Sequence, residues 1–346
     1  MSHYFDTGFS VRENMWHGLG NVLDEYPENW AQVRQQAGWT WDPTEEPLYE
    51  IDQAYPDDRH TVKVVEGWKQ VKRSDTGGRL NVCMQTYQVV DFDTMGQVFE
   101  AIMDGSGQFK IKCETAGSLQ DGRKVWALAL IGDAFELPGD PSPVQPYFAL
   151  LNSFDGMSAF RAITTAVRIV CWNTWHLADM EATRGGRAFS FRHTKNVKQQ
   201  VAEAKRALTT SEAQINATIE QAKEILRVKA NAHARKRFVE EFAIHRVITN
   251  TAGRRRATKA TIEERMRQPR VQEALTATMD QLNQILGSRT CDGIRDTAWG
   301  LVQAGLEYLD HIRPANSEES RFSRSMLDDR DDHKVTVMNL AREVTR

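Results

Sequence analysis

Residues 147–168 read YFALLNSFDGMSAFRAITTAVR: two runs rich in apolar and β-branched residues on either side of an Asp-Gly pair at 155–156. Asp-Gly between such runs signals a β-hairpin, because both residues tolerate the backbone conformation a tight turn demands. Side chains alternate along a strand, so Phe160, Ala162 and Thr164 fall on one face and Arg161, Ile163 and Thr165 on the other. Upstream, FKIKCETAGSLQDGRKVWALALIG (109–132) repeats the pattern with its turn at Asp121-Gly122, and TVKVVEGWKQVKR and LNVCMQTYQVVDF frame SDTGGR at 74–79. Between these hairpins DTMGQVFEAIMDGSG predicts a helix capped by Asp93 or Thr94, with Val98, Ile102 and Met103 on one face and Gly105 at its end. LPGDPSPVQP (137–146) holds four of the ten prolines and reads as a loop.

The flanks differ in character. Trp16, Trp30, Trp39 and Trp41 lie in the first 60 residues, which read as a wrap with a short helix near Asn29 to Gly38 that packs its aromatics on the main domain. VRIVCWNTWHLA (167–178) reads as the end of the strand and a core helix. From residue 187 to 252 there is no Gly or Pro. Val197, Val201, Ala204, Leu208, Ser211, Ile215, Thr218 and Ala222 recur at spacings of four and three, the seam of a helix lying on another helix. Thr209-x-x-Glu212 is a capping box that would split this helix in two. GIRDTAWGLVQAGLEYLDHI (293–312) predicts an amphipathic helix before Pro314, and the remainder is polar with one short helix at its end. The expectation is an α+β fold, an antiparallel hairpin-built sheet backed by helices and followed by a long helical region. The segments are 1–60 (an acidic, Trp-rich wrap), 61–185 (the α+β domain), 186–313 (helical) and 314–346 (a polar tail).

At 346 residues and 39.4 kDa the chain is long enough for two or three units. No apolar run reaches the 18 residues a membrane span needs, and the opening residues lack the basic and apolar regions of a signal peptide, so the chain is expected in the cytoplasm. Cys83, Cys113, Cys171 and Cys291 form no C-x-x-C pair, which supports neither a disulfide framework nor a cysteine-rich zinc site. The net charge of −3 hides an asymmetry: residues 1–60 carry 12 Asp/Glu against 3 Lys/Arg (net −9), and residues 161–275 carry 23 Lys/Arg against 11 Asp/Glu (net +12). Such a split fits a basic part that meets a polyanion or the acidic part of another copy; basic residues on the solvated face of a helix are the alternative.

Cys171, Asn173 and His176 invite comparison with a cysteine hydrolase, but on a helix positions 171 and 176 differ by about 140°, so the side chains diverge. His17, His193, His233, His245 and His311 have no metal-ligand spacing, and no phosphate-binding loop is present. The expectation is no catalytic nucleophile, metal or cofactor. Arg161, Arg168, Arg184, Arg187, Arg192, Lys195 and Lys198, interleaved with Trp172, Trp175, Phe189 and Phe191, have the composition of a groove that binds single-stranded nucleic acid, with Arg254, Arg255 and Arg256 as a second contact. The other reading places Trp172 and Trp175 in the core.

MWHGLG (15–20), ETAGSLQDGRKVWALALI (114–131), LLNSFDG (150–156), VRIVCWNTWHLA, FRHTKNV (191–197) and TAWGLVQAGLEYLDHIR (297–313) resemble the phage/plasmid-like family of unknown function numbered 932, over about residues 11–330. That resemblance implies a setting in phages, prophages and plasmids and assigns no residue a role. The architecture is also similar to the core of phage single-strand annealing proteins, which pair complementary strands without ATP and form rings or filaments. The expected function is therefore ATP-independent nucleic-acid binding, single-strand annealing or recombination, by a homo-oligomer. The alternative is an accessory protein that binds a host protein through the acidic first 60 residues.

Overall fold

The computed structural model describes residues 5–12, 20–54, 60–105, 111–168, 173–175, 189–191, 193, 211–249, 259–314 and 332–346. Its larger sheet has eight strands, in the spatial order β10 (Asn173–Trp175), β9 (Phe160–Arg168), β8 (Val144–Ser153), β7 (Lys124–Ile131), β6 (Ile111–Leu119), β1 (Phe5–Val11) and β2 (Asn21–Leu23), with β11 (Phe189–Phe191) also on β9. Pairing is antiparallel except between β1 and β2. The expected hairpins β6–β7 and β8–β9 are both present. At the first, Gln120 and Asp121 have φ of 59° and Gly122 of 84°. Asp6 secures this turn by accepting the backbone N–H groups of Asp121 at 2.9 Å and Gly122 at 2.7 Å. A Cβ at position 122 would lie 2.4 Å from Cζ2 of Trp41, so only glycine fits.

The central strands are buried on both faces, where the sequence suggests a sheet backed on one. Val125, Ala127, Ala129, Phe148, Leu150, Phe160 and Ala162 join one cluster, and Trp126, Leu128, Tyr147, Ala149 and Leu151 join another. A strand covered on both sides needs apolar residues at successive positions, and VWALALI supplies them. The first cluster takes in the early tryptophans. Trp39 stacks on Phe92 at 5.0 Å, Trp41 meets Phe92 and Phe154 edge-on, and the Trp30 indole donates to the Phe92 carbonyl at 2.8 Å. Two helices hold these aromatics. In α1 (Trp30–Gln36) Asn29 caps the N–H of Gln32. In α2 (Phe92–Gly105) the cap is Asp91, which accepts the Thr94 N–H at 2.8 Å, in place of the expected Asp93 or Thr94.

The hairpin at residues 61–92 belongs to a separate three-stranded sheet, β3 (Pro43–Ala54), β4 (His60–Arg73) and β5 (Arg79–Met84). Strand β3 was hidden by Pro43, Pro47 and its acidic residues, composition that strands tolerate at an edge. The helix expected over residues 171–178 is corrected where it is described: Asn173, Thr174 and Trp175 pair antiparallel with Arg168, Val167 and Ala166. Cys171, Trp172 and His176 lie outside the described residues, as do Trp16 and His17.

The helical half comprises α3 (Ser211–Arg227), α4 (Ala232–Ile244), α5 (Lys259–Met266), α6 (Pro269–Gly287), α7 (Ala298–Glu307) and α8 (Asp332–Val344). The long helical stretch breaks at residues 228–231, where Asn231 caps α4 through the Ala234 N–H at 2.9 Å; Thr209 lies outside the described residues. Helix α7 is buried on every side from Ala298 to Leu306, not amphipathic as expected, and is the centre of this core. Its Trp299 indole donates to the Asp140 carboxylate at 2.8 Å, and Leu137 and Val144 from the same proline-rich segment enter the helical cluster. Helix α8 closes the core with Val337, Met338, Leu340, Ala341 and Val344. Among the described residues no helix is long and apolar enough to cross a membrane.

Helices α4 and α7 each end in a π-helical turn, His245–Thr249 and Tyr308–Ile312. Consecutive residues of α8 reach both: Nδ1 of His333 lies 3.3 Å from Nε2 of His245, and Nζ of Lys334 lies 2.8 Å from the carboxylate of Asp310. The Lys334–Asp310 side chains are only 12% and 3% exposed, whereas the Lys236–Glu240 pair on α4 is 76% and 46% exposed at 3.8 Å. Removing one member of a buried pair takes away a close charge partner in low dielectric, where it matters most; removing one member of a solvated pair costs little. Lys334→Met is expected to lower unfolding free energy by about 3 kcal/mol or more, and Lys236→Met by less than about 0.5 kcal/mol, both read from urea unfolding midpoints.

Candidate functional site

The outer edge of β9 carries two short strands in series. Strand β10 pairs with Ala166 to Arg168, and β11 pairs with Phe160 to Ala162. The chain before and after residues 176–188 is thereby pinned to one edge of the sheet. Arg168 ends β9, with Asn173 on one side and Val144 on the other. Arg161 sits between Leu151 and Ser190 on the face opposite Phe160, as the alternation requires. It is 8% exposed and not free there, so it faces the protein interior and not an open groove. Arg184, Arg187, Arg192, Lys195, Lys198 and Arg254 to Arg256 lie outside the described residues. Trp175, Phe189 and Phe191 are placed in strands.

A polar constellation fastens this edge to the rest of the fold. The β8–β9 turn is shaped by Asp155, whose carboxylate accepts from the Ser153 hydroxyl and from the Met157 N–H. Asn152 donates from Nδ2 to the Val90 carbonyl at 2.7 Å, which joins the end of β8 to the segment before α2. In that segment Tyr87 donates to the Ser153 carbonyl at 3.1 Å and stacks on His193, with ring centroids 4.9 Å apart and planes 15° from parallel. Gln88 and His193 are tied twice. The Gln88 N–H donates to the His193 carbonyl at 3.1 Å, and Nδ1 of His193 lies 3.0 Å from the Gln88 carbonyl.

These contacts assign the imidazole. A carbonyl can only accept, so Nδ1 carries the proton, and Nε2, buried and without a hydrogen-bond partner among the described residues, presents a lone pair. Burial pushes the His193 pKa below the usual imidazole value, against the opposing pull of the Gln88 carbonyl and the Asp155 charge. The ring is therefore neutral at pH 7. Burial also raises the Tyr87 phenol, which stays protonated as a donor. The Cys83 thiol nearby is raised chiefly by burial, with Lys69 opposing and Glu45 reinforcing, so it is no ready nucleophile. Among the described residues no group of three or more His, Cys, Asp or Glu is arranged to hold a metal ion. The arrangement can do one thing well: it holds β11 and His193 beside the β8–β9 turn, while Arg192, Lys195 and Lys198, their neighbours in sequence, lie outside the described residues. Tyr87, Ser153 and Asp155 carry no motif of their own, and only the Asp-Gly turn foreshadowed their meeting.

The fold defines an α+β protein with a two-sided sheet, a helical half joined to it through a proline-rich loop, and two short strands, β10 and β11, paired to one sheet edge. The chain belongs to the family described as a domain of unknown function, DUF932, which it matches over residues 79–330. No curated protein and no solved structure matches it.

The depressed pKa of His193 makes stability depend on pH in one direction. In the unfolded chain the ring titrates near 6.5; below that pH the unfolded state takes up the proton first, so stability is full above it and falls as the pH drops towards the lower folded value. The thermal midpoint is expected to fall between pH 7 and pH 5, and His193→Gln to make that fall smaller. An equal fall in the variant would show that the ring does not carry the effect.

Proposed function

We propose that the protein is an ATP-independent binder of single-stranded nucleic acid that acts as a homo-oligomer, with annealing or recombination as its activity. The observation that carries this reading is the shared edge of β9: Arg168 ends that strand, and β10 and β11 hold the flanks of the segment containing Arg184 and Arg187 against the same strand. Cations close in sequence to these strands and interleaved with aromatic residues suit a sugar-phosphate chain whose bases stack without sequence preference. Arg161 is left out of the contact set because it is buried, and its loss would act through the fold. Arg168, Arg184, Arg187, Arg192, Lys195 and Lys198 supply the contacts, with Arg254, Arg255 and Arg256 as a second group. The phage setting and a place in the host cytoplasm belong to the same proposal.

Fluorescence anisotropy of a labelled single-stranded oligonucleotide, titrated at several salt concentrations beside duplex DNA of equal length, tests the reading. Each phosphate neutralised contributes about 0.7 to the slope of log affinity against log salt for a single strand. Replacing Arg168, Arg184, Arg187 and Arg192 together by Ala is expected to weaken binding and flatten the slope by roughly 3. Absence of binding at low salt, or a slope unchanged by the four substitutions, would overturn it.

A further inference from the structure

The end of α4 and the start of α8 meet at a pair of histidines. His245 opens the π-helical turn that ends α4, and His333 is the second residue of α8. Nδ1 of His333 lies 3.3 Å from Nε2 of His245, with the two rings half-buried and their planes at 77°. Single π-helical turns of this kind often mark functional sites. Two ring nitrogens that face each other share one proton, one side donating and the other accepting. One added proton leaves the bond intact, because a charged ring still donates to a neutral one. A second leaves both nitrogens with hydrogens, no acceptor between them, and like charges face to face.

The helix ends decide which ring refuses the second proton. His245 stands at the C-terminal end of α4, where a cation is favoured, and His333 in the first turn of α8, where a cation is disfavoured. The charges around the pair lean the same way. Arg246 follows His245, Lys334 follows His333, and Arg265 reaches the same π-helical turn from α5, donating to the Ile248 carbonyl at 3.0 Å. The carboxylates are engaged: Glu241 pairs with Arg237 at 3.0 Å, Asp310 with Lys334 at 2.8 Å, and Glu307 at the end of α7 is not free. His311, in the turn after α7, is the other titratable ring nearby, and the charged residues of α6, Arg270, Glu273 and Asp280, are exposed.

We infer that the His245–His333 pair is an acid-sensitive latch: it holds the first turn of α8 on α4 while the pair carries at most one added proton, and releases it when both rings are charged. The response is local. One turn on, Val337 packs over Gly305 so closely that a Cβ there would lie 2.6 Å from its Cγ1, and Met338, Leu340, Ala341 and Val344 are buried with it. Titration leaves those apolar contacts untouched. The latch goes beyond the proposed function and depends neither on nucleic-acid binding nor on His193, which lies at the sheet.

Residue-resolved hydrogen exchange on the full chain, corrected for the intrinsic effect of pH on the exchange chemistry, tests the latch. The amides of Thr336 to Asn339 bond to the carbonyls of Asp332 to Val335, so they report the first turn. An imidazole free in water titrates near 6.5, so the opened turn takes up a proton that the latched turn refuses, and its opening is expected to rise roughly tenfold between pH 7.5 and pH 5.5. The amides of Ala341 to Val344 are expected to change less than about twofold over the same range. His333→Asn keeps an acceptor where Nδ1 stood and His245→Gln a donor where Nε2 stood, at every pH, so each is expected to flatten the rise to less than about twofold. Each replaces one ring only, so a variant that fails to fold leaves the other to decide. His193→Gln and His311→Gln are expected to keep the full rise. A wild-type chain without the rise, a rise that survives in His333→Asn and His245→Gln, a rise abolished by His193→Gln or His311→Gln, or an equal rise throughout α8 and β7 would each overturn the inference.

Discussion

The Asp140 carboxylate and the Trp299 indole meet inside the protein, and the two halves of the structure depend on that meeting. Trp299 lies on the helix that packs against α3, α4, α6 and α8, and Asp140 on the loop that leads into β8. The carboxylate also accepts the Ser142 N–H at 2.9 Å, which sets the conformation of a segment crowded with prolines. A buried indole N–H or carboxylate without a partner costs more than a typical hydrogen bond returns, so each group constrains the other. Leu137 and Val144 then follow into the helical cluster as a consequence of where Asp140 must be.

The same logic of compulsory partners shapes the sheet. Strands β7 and β8 have no face to spare for water, so they need cover on both sides, and the early tryptophans provide one side. Three tryptophans of the first 60 residues are thus part of the core: Trp30, Trp39 and Trp41 are at most 5% exposed. Their acidic charge is partly matched locally, since Glu45 and Glu46 pair with lysines of β4. An acidic surface offered to a host protein would have less free charge than the composition suggests.

What could be read in the sequence was what local chemistry dictates. The Asp-Gly turns, the short helix near Asn29 to Gly38 and the alternation that separates Phe160 from Arg161 depend on neighbours a few positions away. What was hidden depends on distant partners. Strand β3 reads as part of the acidic wrap until β4 lies beside it with Lys63, Lys69 and Lys72. The apolar run around Trp172 serves a helix or a strand equally, and pairing with β9 decides for residues 173–175. Helix α7 reads as amphipathic because Gln303, Glu307 and Asp310 are polar, yet Gln303 and Asp310 are buried. The candidate site was the least legible, because Gln88 and His193 are 105 positions apart and neither belongs to a motif that names the other.

The position of α8 has a consequence for the order of events during synthesis. Segments made early on the ribosome can fold as units before later ones emerge. The sheet can do so, since every strand it uses among the described residues is complete by residue 191. The helical core cannot: Phe238, Phe242 and Leu301 lack their final wall until residues 332–344 have been made and have folded back onto α4 and α7. The nascent chain therefore passes through a stage with a finished sheet and an open, greasy helical half, the stage at which a chaperone has most to hold.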